Sequence, residues 1–383
     1  MAKNRSIFED VGETPKADVA APQPGLIDKE QDRGRGAIRI WLFVLFALVV
    51  LMIAVGGLTR LTDSGLSITE WAPVTGAVPP LSAEDWASEF DRYRQIPEYQ
   101  EQNRGMSLAE FKVIYWWEWG HRQLGRFIGL VWAIGFVGFL VTKRMPKGWT
   151  SRLLLLGALG GLQGAIGWWM VSSGLEEGML DVASYRLATH LGLAFLILGL
   201  IGWYAFRLGR SQRDLFQARR ARESGLFALA GGLVALAFLQ ILLGALVAGI
   251  DAGRNYTDWP LMAGGFLPPQ PFELTPIWRN FFENDGLVQF MHRISGYVLF
   301  LAGLLIFWRA QRSPYVATRR AFAAMVALMV VQMLLGIVTV MYSAPWQLAI
   351  LHQFAAVILW ILILRARFLA GYPPEQSVRG AIQ

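Results

Sequence analysis

Glu118 and His121 stand three residues apart in the stretch W-W-E-W-G-H-R-Q-L-G-R, Trp116 to Arg126, with Arg122 and Arg126 following. Residues three apart share one face of a helix, so a carboxylate and an imidazole can address one ligand here. The stretch lies where a polar segment gives way to an apolar run. An ionisable pair at the lip of a membrane helix is costly to keep and marks a candidate functional site. The chain has four histidines, and the other three, His190, His292 and His352, also fall at the edges of apolar runs. It has no cysteine, which excludes disulfides, thiolate nucleophiles and cysteine-ligated metal or iron–sulfur centres.

Two axial imidazoles are one way to hold a haem iron, and two such pairs use every histidine in the chain. Zinc suits the pattern less well: the H-E-x-x-H and H-x3–5-H spacings are absent, and no acidic third ligand repeats. Arg122, Arg126 and Arg293 each follow a histidine; a guanidinium pairs with carboxylates such as haem propionates, or else lies as an interfacial cation. The tryptophans Trp116, Trp117, Trp119, Trp168 and Trp169 suit an interface belt. Gln163 and Gln332 read as interhelical hydrogen-bonding residues. The glycines of Gly157–Gly161 sit inside an apolar run, where they serve close helix packing rather than nucleotide binding.

The elements that must position these residues are membrane helices. Of 383 residues, 54% are hydrophobic and only 16% charged, the composition of a membrane protein. Eight apolar runs are long enough to span a bilayer, at Ala37–Leu58, Arg122–Val141, Leu153–Val171, Leu187–Phe206, Leu226–Ala248, Arg293–Trp308, Ala321–Met341 and Gln347–Leu364. Residues 1–36 read as a disordered tail, neither a transit peptide nor a cleavable signal, and 365–383 as a second tail. Lys and Arg concentrate in the tails and in three loops on one side, 24 of 35 in all; most acidic residues lie in the loops 59–115 and 249–291 and around Asp181 on the other. The positive-inside rule puts both termini in the cytoplasm, so the net charge of +7 reports topology and not nucleic-acid binding. In the long outer loop, Ser82-x-x-Asp85 and Ser107-x-x-Glu110 are capping boxes. They predict a surface helix from about Ala83 to before Pro97, and a second helix from Leu108 leading into the membrane.

The chain repeats itself. D63-S-G-L-S-I-T-E-W71 is echoed by D251-A-G-R-N-Y-T-D-W259, His121-Arg122 by His292-Arg293, Gln163-x-x-x-Gly167 by Gln332-x-x-x-Gly336, and His190 by His352, at offsets of 188, 171, 169 and 162. A duplicated four-helix unit accounts for this. The expected fold class is an all-α integral membrane protein of two four-helix bundles, 37–206 and 226–364, each with two histidines at similar depth in a core suited to cofactors. Glu118 aligns with Gln289, so chemistry is assigned to the first half and electron transfer to the second.

These residues resemble the haem A synthase family. The likeness rests on E-x-x-H, on R-L-T-D-S-G-L-S-I-T-E-W from Arg60 to Trp71, on the stretch around His292, and on the duplicated plan. It covers roughly Ala37 to Leu364. It implies an enzyme that oxidises the C8 methyl of haem O to the formyl group of haem A by successive hydroxylations, with electrons leaving through haem b. It further implies that His121 and His190 ligate the substrate haem, that His292 and His352 ligate haem b with Arg293 beside it, and that Glu118 is the essential acid. Arg122 and Arg126 would contact propionates. The paired outer-loop cysteines of some members are absent here, which fits the cysteine-free branch. Expected surroundings are a bacterial inner membrane with the haem sites toward the periplasm. Expected partners are haem O, lipid, haem O synthase, a redox partner and a second copy of the chain. Competing readings are a quinol-linked di-haem cytochrome, which needs no Glu118, and a two-repeat transporter.

Overall fold

Serine and asparagine caps decide where several helices begin, and they carry those helices well past the apolar runs. The computed structural model describes residues 34–375; the N-terminal tail up to residue 33 and the last eight residues lie outside the described residues. The helices in order are α1 Arg35–Leu61, α2 Ala83–Tyr93, α3 Pro97–Glu101, α4 Leu108–Val141, α5 Thr150–Gly174, α6 Ser184–Leu208, α7 Gln212–Arg220, α8 Ser224–Gly249, α9 Asn280–Glu283, α10 Asp285–Ala310, α11 Val316–Met341 and α12 Trp346–Gly371. Eight of them are long and apolar enough to cross a membrane: α1, α4, α5, α6, α8, α10, α11 and α12. They match the eight expected runs. Among the described residues there is no β-strand, only an isolated bridge between Met262 and Gly265. The protein is an all-α multi-pass membrane protein.

The helix ends differ from the apolar runs for a stated reason. Backbone hydrogen bonding continues as long as a cap satisfies the first amides. At Ser107 the hydroxyl accepts from Glu110 N, and the Glu110 carboxylate accepts from Ser107 N at 2.8 Å. Helix α4 therefore starts at Leu108, as the capping box predicts, and it carries Glu118 and His121 on continuous helix. Asn284 caps α10 by accepting from Leu287 N at 2.9 Å, so α10 starts before Arg293. The first helix begins at Arg35, inside the expected tail, and α12 runs on to Gly371, past Leu364. The surface helix α2 has the predicted capping box at Ser82 and Asp85. A third box, Ser211 with Asp214, starts α7 and was not foreseen.

Helices α1, α4, α5 and α6 pack as a ring in that cyclic order, and α8, α10, α11 and α12 form a second ring in the corresponding order. Helices α1 and α6 of the first ring lie against α8 and α12 of the second. One continuous apolar core runs through both, from Ile38 and Leu42 through Phe195 and Leu198 to Trp360 and Ile363. The seam is close. Trp360 Nε1 donates to Phe195 O at 3.0 Å, Gln353 Nε2 donates to Ile53 O at 2.7 Å, and a Cβ on Gly199 would meet the Trp360 indole at 2.9 Å. At the end carrying the long loops, Arg60 holds Asp63 at 3.0 Å, Asp251 at 3.2 Å and Asp181 at 3.5 Å. A single guanidinium thus joins loops of both rings.

Candidate functional site

Each histidine projects toward a glycine on the preceding membrane helix. A Cβ added to Gly167 would lie 2.9 Å from His190 Cε1, one on Gly244 3.0 Å from His292 Cε1, and one on Gly336 3.0 Å from His352 Cε1. A side chain at Gly167 would have to displace the imidazole, and one at Gly244 or Gly336 would have to push it back by a few tenths of an ångström. Gly56 faces His121 in the same way, but the nearest ring atom is Nε2, at 3.1 Å. A glutamine one helical turn before the glycine completes three of the four niches. Gln163 Nε2 donates to His190 O at 2.9 Å, Gln240 Nε2 to His292 O at 3.0 Å, and Gln332 Nε2 to His352 O at 3.0 Å. The same amides lie 3.1–3.3 Å from ring nitrogens.

His292 and His352 come from α10 and α12, which face each other diagonally across the second ring. Their ring centres are 6.4 Å apart with planes at 77°. A metal–imidazole bond of about 2 Å, with the ring centre about 1 Å beyond, sets two axial imidazoles of one iron roughly 6 Å apart. The separation therefore fits a porphyrin iron held between them. His121 and His190 occupy the corresponding diagonal of the first ring, on α4 and α6. Among the described residues no cluster of three or more histidines and carboxylates could hold a bare metal ion.

Glu118, 3% exposed, is turned toward the loop after α1. Its Oε2 accepts from Ser67 Oγ and Ile68 N, both at 2.8 Å, and its Oε1 accepts from Arg122 Nη2 at 2.6 Å and Nε at 3.1 Å. Arg122 also donates to Ile68 O at 2.8 Å and Glu70 O at 3.0 Å. Arg126 donates to Pro73 O and Ala72 O, each at 2.9 Å, and its Nη1 is buried without a partner. In the second ring Gln289 donates to Ala252 O and Asn255 O, both at 2.6 Å. Arg293 there donates to Tyr256 O at 2.7 Å and to Asp258 O and Leu261 O at 3.0 Å. Both helices thus use this position and the following arginines to fasten the preceding loop over the histidine end of the bundle. Trp168 lies 5.2 Å from Trp71 and under the Arg122 guanidinium at 5.9 Å.

The loop between α1 and α4 has a core of its own, with Leu66, Trp86, Phe90, Tyr93, Phe111 and Tyr115 buried together. Within it Glu98 is 3% exposed and accepts from Tyr93 Oη at 3.0 Å and Asn103 Nδ2 at 3.2 Å. Burial pushes the Glu98 carboxyl up to about 8, the Tyr93 hydrogen bond opposing it. Burial also raises Asp181, against the pull of Arg60. Asp258 is held low by the amides of Gly264 and Ala263.

Several of these residues were not among the sequence candidates. Gly56 and Gly244 lie at the same offset as Asp63 and Asp251, so the repeat carried a signal for them. Gln240 had none, because Met52 stands at the matching position. Ser67 and Ile68 lie inside the D-S-G-L-S-I-T-E-W segment, whose role as the Glu118 partner only the fold reveals.

Fold and site together define an all-α multi-pass membrane protein whose histidines are each backed by a glycine of a neighbouring helix, with one pair at the spacing of axial ligands. The model of the family described as "Cytochrome oxidase assembly protein" matches residues 39–364. The chain is 69% identical to the heme A synthase of Dinoroseobacter shibae, with all of each chain covered. It is 65% identical to that of Ruegeria pomeroyi, over 99% of this chain and 100% of the relative, and 59% identical to that of Paracoccus denitrificans, over 99% of each. The chain belongs to this cytochrome oxidase assembly family, that of the haem A synthases.

Proposed function

We propose that the chain is an oxidoreductase that converts the C8 methyl group of haem O to the formyl group of haem A by successive hydroxylations, with electrons leaving through a bound haem b. The observation that carries the reading is the 6.4 Å spacing of His292 and His352, in a chain 59–69% identical to named haem A synthases. The first half, 37–206, takes the substrate between His121 and His190. The second half, 226–364, would hold haem b through His292 and His352, and Arg293 would assist. A haem b supplies reversible one-electron transfer when bound. Glu118 fixes the loop through Ser67 and Ile68 and, from that fixed place, stabilises positive charge near the methyl carbon or orients water there. Arg122 and Arg126 would contact the propionates, and Arg126 Nη1 has a donor to spare.

The concentration of 24 of 35 basic residues on one side supports cytoplasmic termini, with the histidine ends toward the periplasm of a bacterial inner membrane. The two rings of like order support a duplicated unit. Haem O synthase, a redox acceptor and a second copy of the chain are the proposed protein partners, and nucleic acid is not one. The test is expression in a cell that accumulates haem O, followed by analysis of extracted haems. Haem A above the vector control is the expected result; its absence with a stably inserted protein refutes the proposal. One observation favours a plain di-haem cytochrome: Glu118 and Gln289 do the same loop-fastening work. Extraction of haem B alone would support that reading, and a colourless protein would favour a transporter.

A further inference from the structure

Three of the four histidines share a cradle, and the fourth lacks half of it. Gln163, Gln240 and Gln332 each sit one turn before the glycine that backs a histidine, with the amide nitrogen on the histidine's main-chain carbonyl at 2.9–3.0 Å. In all three the amide oxygen is buried without a donor. His352 Nδ1 is likewise buried without a partner, beside Gln332. The amide nitrogen lies on the histidine's main-chain carbonyl and 3.1–3.3 Å from its ring nitrogens, so it fixes where the imidazole stands.

Met52 stands where the fourth glutamine would be, one turn before Gly56. The two side chains even use the same niche: Met52 Cε lies 3.6 Å from the Cβ position of Gly125 on α4, and Gln240 Nε2 lies 3.2 Å from that of Gly296 on α10. A thioether has no N–H to give to the His121 carbonyl. The His121 ring is accordingly turned. It shows Nε2 to its glycine at 3.1 Å, where the other three show Cε1.

We infer that Gln163, Gln240 and Gln332 are positioning residues for His190, His292 and His352, and that Met52, by omitting the fourth amide, makes His121 the axial ligand that releases the iron. This rests on the haem-binding reading above. It gives the two halves different duties through one side chain. The second ring clamps its porphyrin from both ends, as a resident group requires. The first clamps from the His190 end only, so that a substrate can be taken up and given back.

The test reads ligand exchange, not turnover. The full-length protein is purified with its haem and reduced, and carbon monoxide binding is followed by stopped-flow absorbance. The expected trace has a fast phase from the first ring, where His121 lets go, and a slow one from the second. Met52→Gln should slow the fast phase about tenfold or more, the range in which such outer partners act, while Met52→Leu, of like bulk, leaves it unchanged. Gln240→Leu should speed the slow phase by a similar factor and broaden the low-spin signal of that haem, and Gln240→Glu, which keeps the shape but loses the N–H given to the His292 carbonyl, should do the same. Equal rates for Met52→Gln and Met52→Leu, or Gln240→Leu with native spectrum and rate, overturn the inference while haem binding stands. A wild-type protein that takes up no haem overturns both.

Discussion

Exchanging Glu118 for glutamine separates its two possible duties. The carboxylate fills four hydrogen bonds: Ser67 Oγ and Ile68 N on one oxygen, Arg122 Nε and Nη2 on the other. A glutamine has one oxygen to offer. If its oxygen stays on Ser67 and Ile68, its amide group confronts the donors of Arg122. If it faces Arg122, the Ile68 amide is left buried and unpaired. Hydrogen bonds to a charged group are worth about 1.5–3 kcal/mol and a stranded buried donor costs about 1–3 kcal/mol. Either way the loop Ser67–Pro73 loses about 3 kcal/mol of attachment, roughly a hundredfold in its opening equilibrium. Hydrogen exchange of the Ile68 amide and limited proteolysis of the loop, on haem-loaded protein in detergent, should both accelerate by that factor. Haem A formation measured on the same sample tells whether chemistry falls further than loop opening explains. Loop protection within twofold of wild type would refute the structural argument. A Glu118→Gln protein that binds haem and makes haem A at the normal rate would refute the catalytic one.

Three more outcomes are expected. Gly244→Val places branched carbons where a Cβ alone already meets His292 Cε1 at 3.0 Å, so the low-spin haem absorbance of the second ring should fall about tenfold or more in occupancy; full occupancy would show the niche to be slack. The Glu98 carboxyl is protonated in the folded chain, because burial raises it from the usual carboxylate range to about 8. The folded state therefore binds the extra proton, and the stabilisation is full below pH 4.5 and is lost as pH rises through about 8. Melting temperature in detergent should decline between pH 5 and 9 (about the range set by that shift), and Glu98→Gln should flatten the decline. Arg60→Ala leaves Asp63, Asp181 and Asp251 without their shared cation; a loss of about 1–3 kcal/mol in denaturant unfolding should follow, smaller at a pH low enough to protonate the carboxylates.

The membrane helices were legible because apolar runs of bilayer length have few other uses. The start of α4 was legible too, from the Ser107-x-x-Glu110 capping box; that of α10 was not, since Asn284 caps it without a box and apolar patterning does not register such a cap. The histidine set was readable because only four occur and they recur at fixed offsets, and two of them are found at the spacing of axial ligands. The arginines were read by type alone. Arg122, Arg126 and Arg293 spend most of their donors on loop carbonyls, partners that carry no side-chain signature. Glu118 was singled out by its spacing from His121, yet its bonds to Ser67 and Ile68 cross some fifty positions of sequence, a pairing that no local spacing announces. The Met52 substitution was invisible for the opposite reason: it is an absence within a repeat, and becomes visible only once Gln240 is seen against His292.

The seam between the rings is continuous core, closed by Trp360 on Phe195 and Gln353 on Ile53. Such a joint makes the two histidine pairs tenants of one packed interior, so a change of volume at the seam is transmitted to both halves at once.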